Sequence, residues 1–108
     1  LTETEIWEKD PIIGMKEVEK LYQLHEWLQK TDSDFLVFSQ TICPYCDLAE
    51  RTLNTNNHSY KVVNLDYEGD LRSKIVDETG HRTVPMIFDL RGENPIFVGG
   101  SDNLLEYL

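Results

Sequence analysis

The sequence predicts an α/β fold in which helices flank a four-stranded mixed sheet. Two observations carry the prediction. Helix-period and strand-type segments alternate in the order α-β-α-β-α-β-β-α, and 108 residues suffice for one core but not for two. A strand–helix–strand unit sets two strands parallel, a following hairpin adds an antiparallel pair, and the helices cover the faces. No repeat or low-complexity linker interrupts the order, so residues 1–108 form a single domain, with 1–14 as a lead-in and 15–108 as the core.

The elements follow in chain order. Leu1 to Ile13 is an acidic, irregular or partly helical lead-in, punctuated by Pro11 and Gly14. Met15, Val18, Leu21, Tyr22, Leu24 and Leu28 recur every three or four residues, which marks an extra N-terminal amphipathic helix ending near Lys30 at the turn Thr31-Asp32-Ser33. Phe35-Leu36-Val37-Phe38 is a short apolar strand bounded by polar residues. A helix then carries Leu48, Ala49 and Leu53 to about Asn56, where the Asn54–Asn57 cluster stops it. Tyr60 to Leu65 is the second strand. A helix with Leu71, Ile75 and Val76 follows and ends at Gly80. Pro85 to Phe88 is the third strand, Arg91-Gly92-Glu93-Asn94 the hairpin turn and Pro95 to Val98 the fourth. Gly99-Gly100 breaks the chain before a last helix from Asp102 towards Leu108.

Twenty acidic residues against ten basic ones give a net charge of −10. That balance repels phosphate backbones and anionic lipid, so neither nucleic acid nor a membrane is expected as a partner. The apolar runs are far too short to cross a bilayer, and no basic segment followed by an apolar one suggests a signal peptide.

The two cysteines, Cys43 and Cys46, stand in Cys43-Pro44-Tyr45-Cys46, directly after a strand and opening a helix. At a helix N-terminus the unpaired backbone N–H groups and the dipole favour a negative sulfur, and a thiolate is the attacking species in disulfide exchange. Cys46, one turn on, is placed to attack a mixed disulfide at Cys43 and release the bound thiol. Pro44 suits the first helical turn, which needs no N–H. Structural zinc takes four ligands, and His25, His58 and His81 show no ligand spacing with this pair, so no metal is expected. His25 is read as a packing residue, His81 as a surface loop residue, and Trp7 and Trp27 as core or interface residues.

The chain resembles the dithiol glutaredoxins of the thioredoxin-fold superfamily. Cys43-Pro44-Tyr45-Cys46 is similar to their active-site tetrad. Thr83-Val84-Pro85 is similar to the segment holding a cis-proline, and Gly99-Gly100-Ser101-Asp102-Asn103-Leu104 to the Gly-Gly turn and helix start. Phe38-Ser39 and Tyr60 to Asp66 are similar to the first two strands, so that the likeness covers roughly Phe35 to Leu108. The resemblance implies a glutathione-disulfide oxidoreductase that reduces protein disulfides and glutathione mixed disulfides. Cys43 and Cys46 would be catalytic, glutathione a co-substrate and no cofactor tightly bound. The tripeptide would lie along Thr83, Val84 and Pro85 beside Tyr45, with Val84 pairing as if to an added strand. Its γ-glutamyl carboxylate would meet the N–H groups after Gly100, at Ser101 and Asp102, and Arg82 would meet the glycine carboxylate. Glutathionylated or disulfide-bonded proteins are the expected partners, a monomer the expected state and a reducing cytosol the default compartment, with organelles left open.

Three positions depart from the family pattern. Gln40 stands where members usually carry lysine, three residues before the first cysteine, which implies weaker glutathione binding and a less acidic Cys43. Asn103 stands where an acid is common, leaving Asp102 to pair with the γ-glutamyl ammonium. The hairpin Leu90–Pro95 is slightly longer than usual. Other functions remain open at this point: a redox domain served by a protein reductase, a glutathione-ligated iron–sulfur module, which Pro44 disfavours, and an inactive interaction domain.

Overall fold

The sheet is built around β1 (Phe35–Ser39), a strand buried at all five positions. The computed structural model describes residues 23–108. Strand order is β2–β1–β3–β4. β2 (Tyr60–Asn64) runs parallel to β1, whereas β3 (Met86–Asp89) pairs with its other edge antiparallel. β4 (Ile96–Gly99) lies antiparallel outside β3, with a register irregularity between Ile87 and Phe88. Helices α1 (Leu24–Lys30), α2 (Pro44–Thr55), α3 (Leu71–Thr79) and α4 (Ser101–Tyr107) complete the fold.

A strand with neighbours on both edges and helices on both faces has no solvent side, which explains the unbroken apolar run Phe35 to Phe38. Its side chains still alternate. Leu36 and Phe38 join Val63, Met86 and Phe88 on one face, where Leu24 of α1 and Leu71 and Ile75 of α3 cover them. Phe35, Val37 and Ile87 form the other face under Ala49 and Leu53 of α2 and Leu104 of α4. Burying each large apolar side chain contributes about 1.5–3 kcal/mol.

The helix stops fall where the sequence places them. Asn57 ends α2 in the left-handed region at φ 63°, and Gly80 ends α3 at φ 75° with its N–H on the carbonyl of Val76. Boundaries differ by a residue. Leu65 opens a single 3₁₀ turn (Leu65–Tyr67) rather than closing β2, the prolines 85 and 95 precede their strands, and Ser101 rather than Asp102 begins α4. Prolines lack the N–H a ladder needs, which fits their place outside the pairing. Trp27 packs on the α1/α3 core face, as expected for a core residue. His25 does not pack: it is exposed and pairs with Glu26 at 2.8 Å. The lead-in 1–14, Trp7 and the helix positions Met15 to Tyr22 lie outside the described residues.

Two contacts fix α4 on the sheet. At its start, Gly99 has φ +120°, and a Cβ there would fall 2.5 Å from Oδ1 of Asn103; that oxygen accepts the N–H of Gly100 at 2.9 Å. At its end, the Tyr107 hydroxyl donates to Asp89. Asp89 is 5% exposed and also accepts from the backbone N–H, Nε and Nη2 of Arg91, each at 3.0 Å. The guanidinium lies 5.0 Å from the centre of the Phe35 ring. The Arg91 hydrogen bonds, with help from Tyr107, hold the Asp89 carboxyl down to about 2 against an ordinary 3.8.

Gly99→Ala meets both a disfavoured φ and the Asn103 side chain, so thermal unfolding should show a loss of about 1–3 kcal/mol; an unchanged melting temperature would contradict this. A depressed carboxyl pKa is stability present above its unfolded value and lost as pH falls through the folded one. Asp89→Asn should therefore cost on the order of 2 kcal/mol at neutral pH in urea denaturation. Its gap to the wild type should close between about pH 4 and pH 2.

Candidate active site

Parallel pairing with β2 sends β1 towards the end of the sheet where α2 begins, and that junction carries the cysteines. Cys43 is the N-cap residue of α2 in extended conformation, and Pro44 occupies the first helical position. The two sulfurs form a disulfide. The Cys46 N–H points at Sγ of Cys43 from 3.1 Å, while the Cys43 carbonyl accepts from the N–H groups of Cys46 and Asp47. When the disulfide opens, Sγ of Cys43 is left facing a backbone donor at the positive end of a helix, which favours the thiolate. Cys43 retains 8% exposure against 1% for Cys46. Cys43 is thus the outer, more accessible member of the pair.

Beside the pair runs a groove of about 280 Å³, lined by Tyr45, His81, Thr83, Val84, Pro85 and the start of α4 from Gly100 to Asn103. Of the expected ligand residues it gathers Tyr45, Thr83, Val84, Pro85, Gly100, Ser101 and Asp102. The Val84–Pro85 bond is cis. Tyr45 is 63% exposed, and Ser101 is buried. Arg82 is exposed and Gln40 half-buried, and neither lines the groove. A larger hollow of about 860 Å³ between α1 and α3, beside Leu24, Leu28, Asp70 and Lys74, lies away from the disulfide.

Gln40 belongs to a polar strap that holds the loop between β1 and Cys43. Its Nε2 donates to the carbonyl of Ile42, the residue before Cys43, at 3.1 Å. Its Oε1 accepts from Nη2 of Arg72 at 3.3 Å. Arg72 also stands 3.6 Å from Asp66, which accepts the Thr41 N–H at 2.9 Å, and Asn64 donates to the Thr41 hydroxyl at 3.3 Å. Hydrogen bonds from Thr41, then the charge of Arg72, hold the Asp66 carboxyl below its ordinary range. A cation therefore stands beside the neutral Gln40, carried by α3. Sequence reading missed Arg72, since thirty-two residues separate it from Gln40 and no spacing rule links the two.

His81 lies in the loop before β3, where, half-buried, it sets its ring against Phe97 at 5.5 Å and its Nε2 3.2 Å from the Thr83 hydroxyl. Asn103, set apart only as a departure from an acid, commits its amide oxygen to the Gly100 N–H. No three His, Cys, Asp or Glu side chains among the described residues converge in a way that could hold a metal ion, and no helix among them is long and apolar enough to cross a membrane.

Comparison with known proteins agrees with this arrangement. The family model described as Glutaredoxin matches residues 35–93, from β1 into the β3–β4 turn. Rice (Oryza sativa subsp. japonica) chloroplastic glutaredoxin-C4 is 42% identical over 76 residues, covering 68% of this chain and 54% of the relative. Human mitochondrial glutaredoxin-2 is 39% identical over 79 residues, covering 68% and 46%. The chain thus spans about half the length of either relative. A crystal structure of the buckwheat glutaredoxin–glutathione complex superposes with a TM-score of 0.66 at 29% identity, covering 83% of this chain and 81% of that one. With the family model matching more than half of its length and both sulfurs of the Cys-x-x-Cys pair in place, this chain belongs to the glutaredoxin family, on its dithiol branch.

Proposed function

We propose that the chain is a glutathione-dependent thiol–disulfide oxidoreductase that reduces glutathione mixed disulfides and protein disulfides. The observation that carries the reading is the groove running from Tyr45 along Thr83-Val84-Pro85 to the start of α4, beside the outer sulfur of the pair. It brings Val84, the cis-proline Pro85 and the start of α4 to one wall beside the disulfide, and the buckwheat relative whose fold the chain shares was crystallised with glutathione.

In the proposed cycle the Cys43 thiolate attacks the glutathione sulfur of a mixed disulfide. A Cys43–glutathione disulfide forms, and the protein thiolate leaves and takes up a proton. A second glutathione, as thiolate, attacks the bound glutathione sulfur, so that glutathione disulfide departs and the Cys43 thiolate returns. For a protein disulfide, Cys43 makes the mixed disulfide with the substrate. Cys46 then displaces the substrate thiolate and closes the Cys43–Cys46 bond, which two glutathiones reopen. The γ-glutamyl carboxylate is assigned to the backbone at Ser101 and Asp102, and the cysteinyl backbone to Val84. Arg72 supplies, beside Gln40, the positive charge that Gln40 lacks, so it is the group proposed to attract the glycine carboxylate, together with the exposed Arg82. The rice and human relatives are chloroplastic and mitochondrial by name, which sets an organelle beside the cytosol as a compartment for this chemistry.

The reading is tested with glutathione, glutathione reductase, NADPH and a glutathione mixed disulfide. Cys43→Ser should fall to background and Cys46→Ser should retain turnover. A wild type inactive here but reduced by a thioredoxin reductase would instead make the chain a protein-reduced redox domain. In the same assay Arg72→Gln should raise the KM for glutathione about three- to tenfold. Adding Gln40→Lys to that variant should recover most of the loss, and an unchanged KM in Arg72→Gln would remove Arg72 from the site.

A further inference from the structure

We propose that His81 and Thr83 form a proton-controlled clamp for the γ-glutamyl carboxylate, so that the affinity of the groove for the tripeptide rises as His81 takes up a proton. The inference rests on the glutathione reading above and adds a residue and a regulation to it. His81 is the one side chain lining the groove that can carry positive charge. Its ring lies across the start of α4: a Cβ built on Gly100 would sit 3.6 Å from Cε1 and 3.7 Å from Nε2. That is where the carboxylate is assigned. Phe97 backs the ring at 5.5 Å and the Thr83 hydroxyl meets its Nε2, while the backbone N–H of His81 is held by the Thr79 hydroxyl, so the imidazole has partners of its own on a tethered loop.

The contact between Nε2 and the Thr83 hydroxyl, 3.2 Å, supplies the switch. In the proposed clamp the neutral ring is the Nδ1–H tautomer, in which Nε2 accepts and the hydroxyl spends its proton on it. With the ring protonated, Nε2–H donates to the hydroxyl oxygen instead. The hydroxyl proton is then free to turn towards the groove. One proton therefore adds a positive charge and releases a donor, both of which favour a carboxylate. Histidine is the side chain whose charge changes within the physiological pH range. The charged and titratable groups around it are Arg82 on its own loop, Asp102 at the start of α4, Tyr45 on α2 and, once the disulfide opens, the Cys43 thiolate; β4 contributes only the uncharged Phe97. Asp102 opposes a carboxylate in the groove, and a charged His81 offsets that opposition.

The test is calorimetric binding of S-methylglutathione, whose capped sulfur neither titrates nor exchanges, to the full chain at about pH 5.5 and about pH 7.5. Wild type should bind about fivefold tighter at the lower pH. His81→Gln should bind weakly at both, and His81→Lys, with its fixed charge, tightly at both. Equal wild-type affinity at the two pH values, or a pH ratio that survives in both variants, overturns the clamp while leaving the glutathione reading intact. Absence of binding by the wild type at either pH overturns both.

Discussion

Burial of β1 on both faces is the constraint on which the rest of the molecule depends. Hydrogen-bonded neighbours on its two edges and apolar layers above and below leave the strand no freedom of register, because a slip of one residue would exchange the side chains of the two core faces. Cys43 follows this strand by four residues. The position of the outer sulfur is thus set by the best-packed segment of the chain, although the loop that carries it is largely exposed. A reactive group on a loop inherits precision only when such a scaffold holds the loop's two ends.

Between scaffold and sulfur, polar chemistry takes over. Thr41, Asn64, Asp66, Arg72 and Gln40 tie the loop to the ends of β2 and α3 through exposed or half-buried hydrogen bonds, none of which the core requires. Such contacts contribute little to stability in water, yet they decide which charges stand near the thiolate. The neutral Gln40 on one element beside a cationic Arg72 on another shows that the charge near such a site belongs to a place rather than to a sequence position.

The order of elements was legible because burial writes periodicity into the chain. The run from Phe35 to Phe38, the four-residue spacing of Leu24 and Leu28 in α1 and the stops at Asn57 and Gly80 each follow from local rules, and the boundaries moved by a residue where a proline or a 3₁₀ turn intervened. The Cys43–Cys46 pair was legible for the same reason, since a helix start after a strand is a local event. Arg72 was not, because its partners Gln40 and Asp66 come from the loop after β1 and the turn after β2. The contacts of His81 were not legible either, because Phe97 and Gly100, which stand beside its ring, lie in the following hairpin and at the start of the last helix. His25 was misjudged: apolar neighbours in sequence did not turn it inward. What the sequence withheld was long-range and polar.

The two ends of the sheet are tied differently, and the difference bears on how such a chain can diversify. Far from the cysteines, the buried Asp89 carboxylate beside Phe35 is held by the solvent-exposed Arg91 and Tyr107, and loss of either partner leaves a buried charge with fewer hydrogen bonds. Near the cysteines, the strap around Gln40 stays open to water, and each member can change with modest consequence for folding. A substitution in the strap can therefore retune the reactive end at little cost to folding, whereas one at Asp89 meets its cost in stability first. A descendant of this chain could acquire a new preference for substrates long before it acquired a new core.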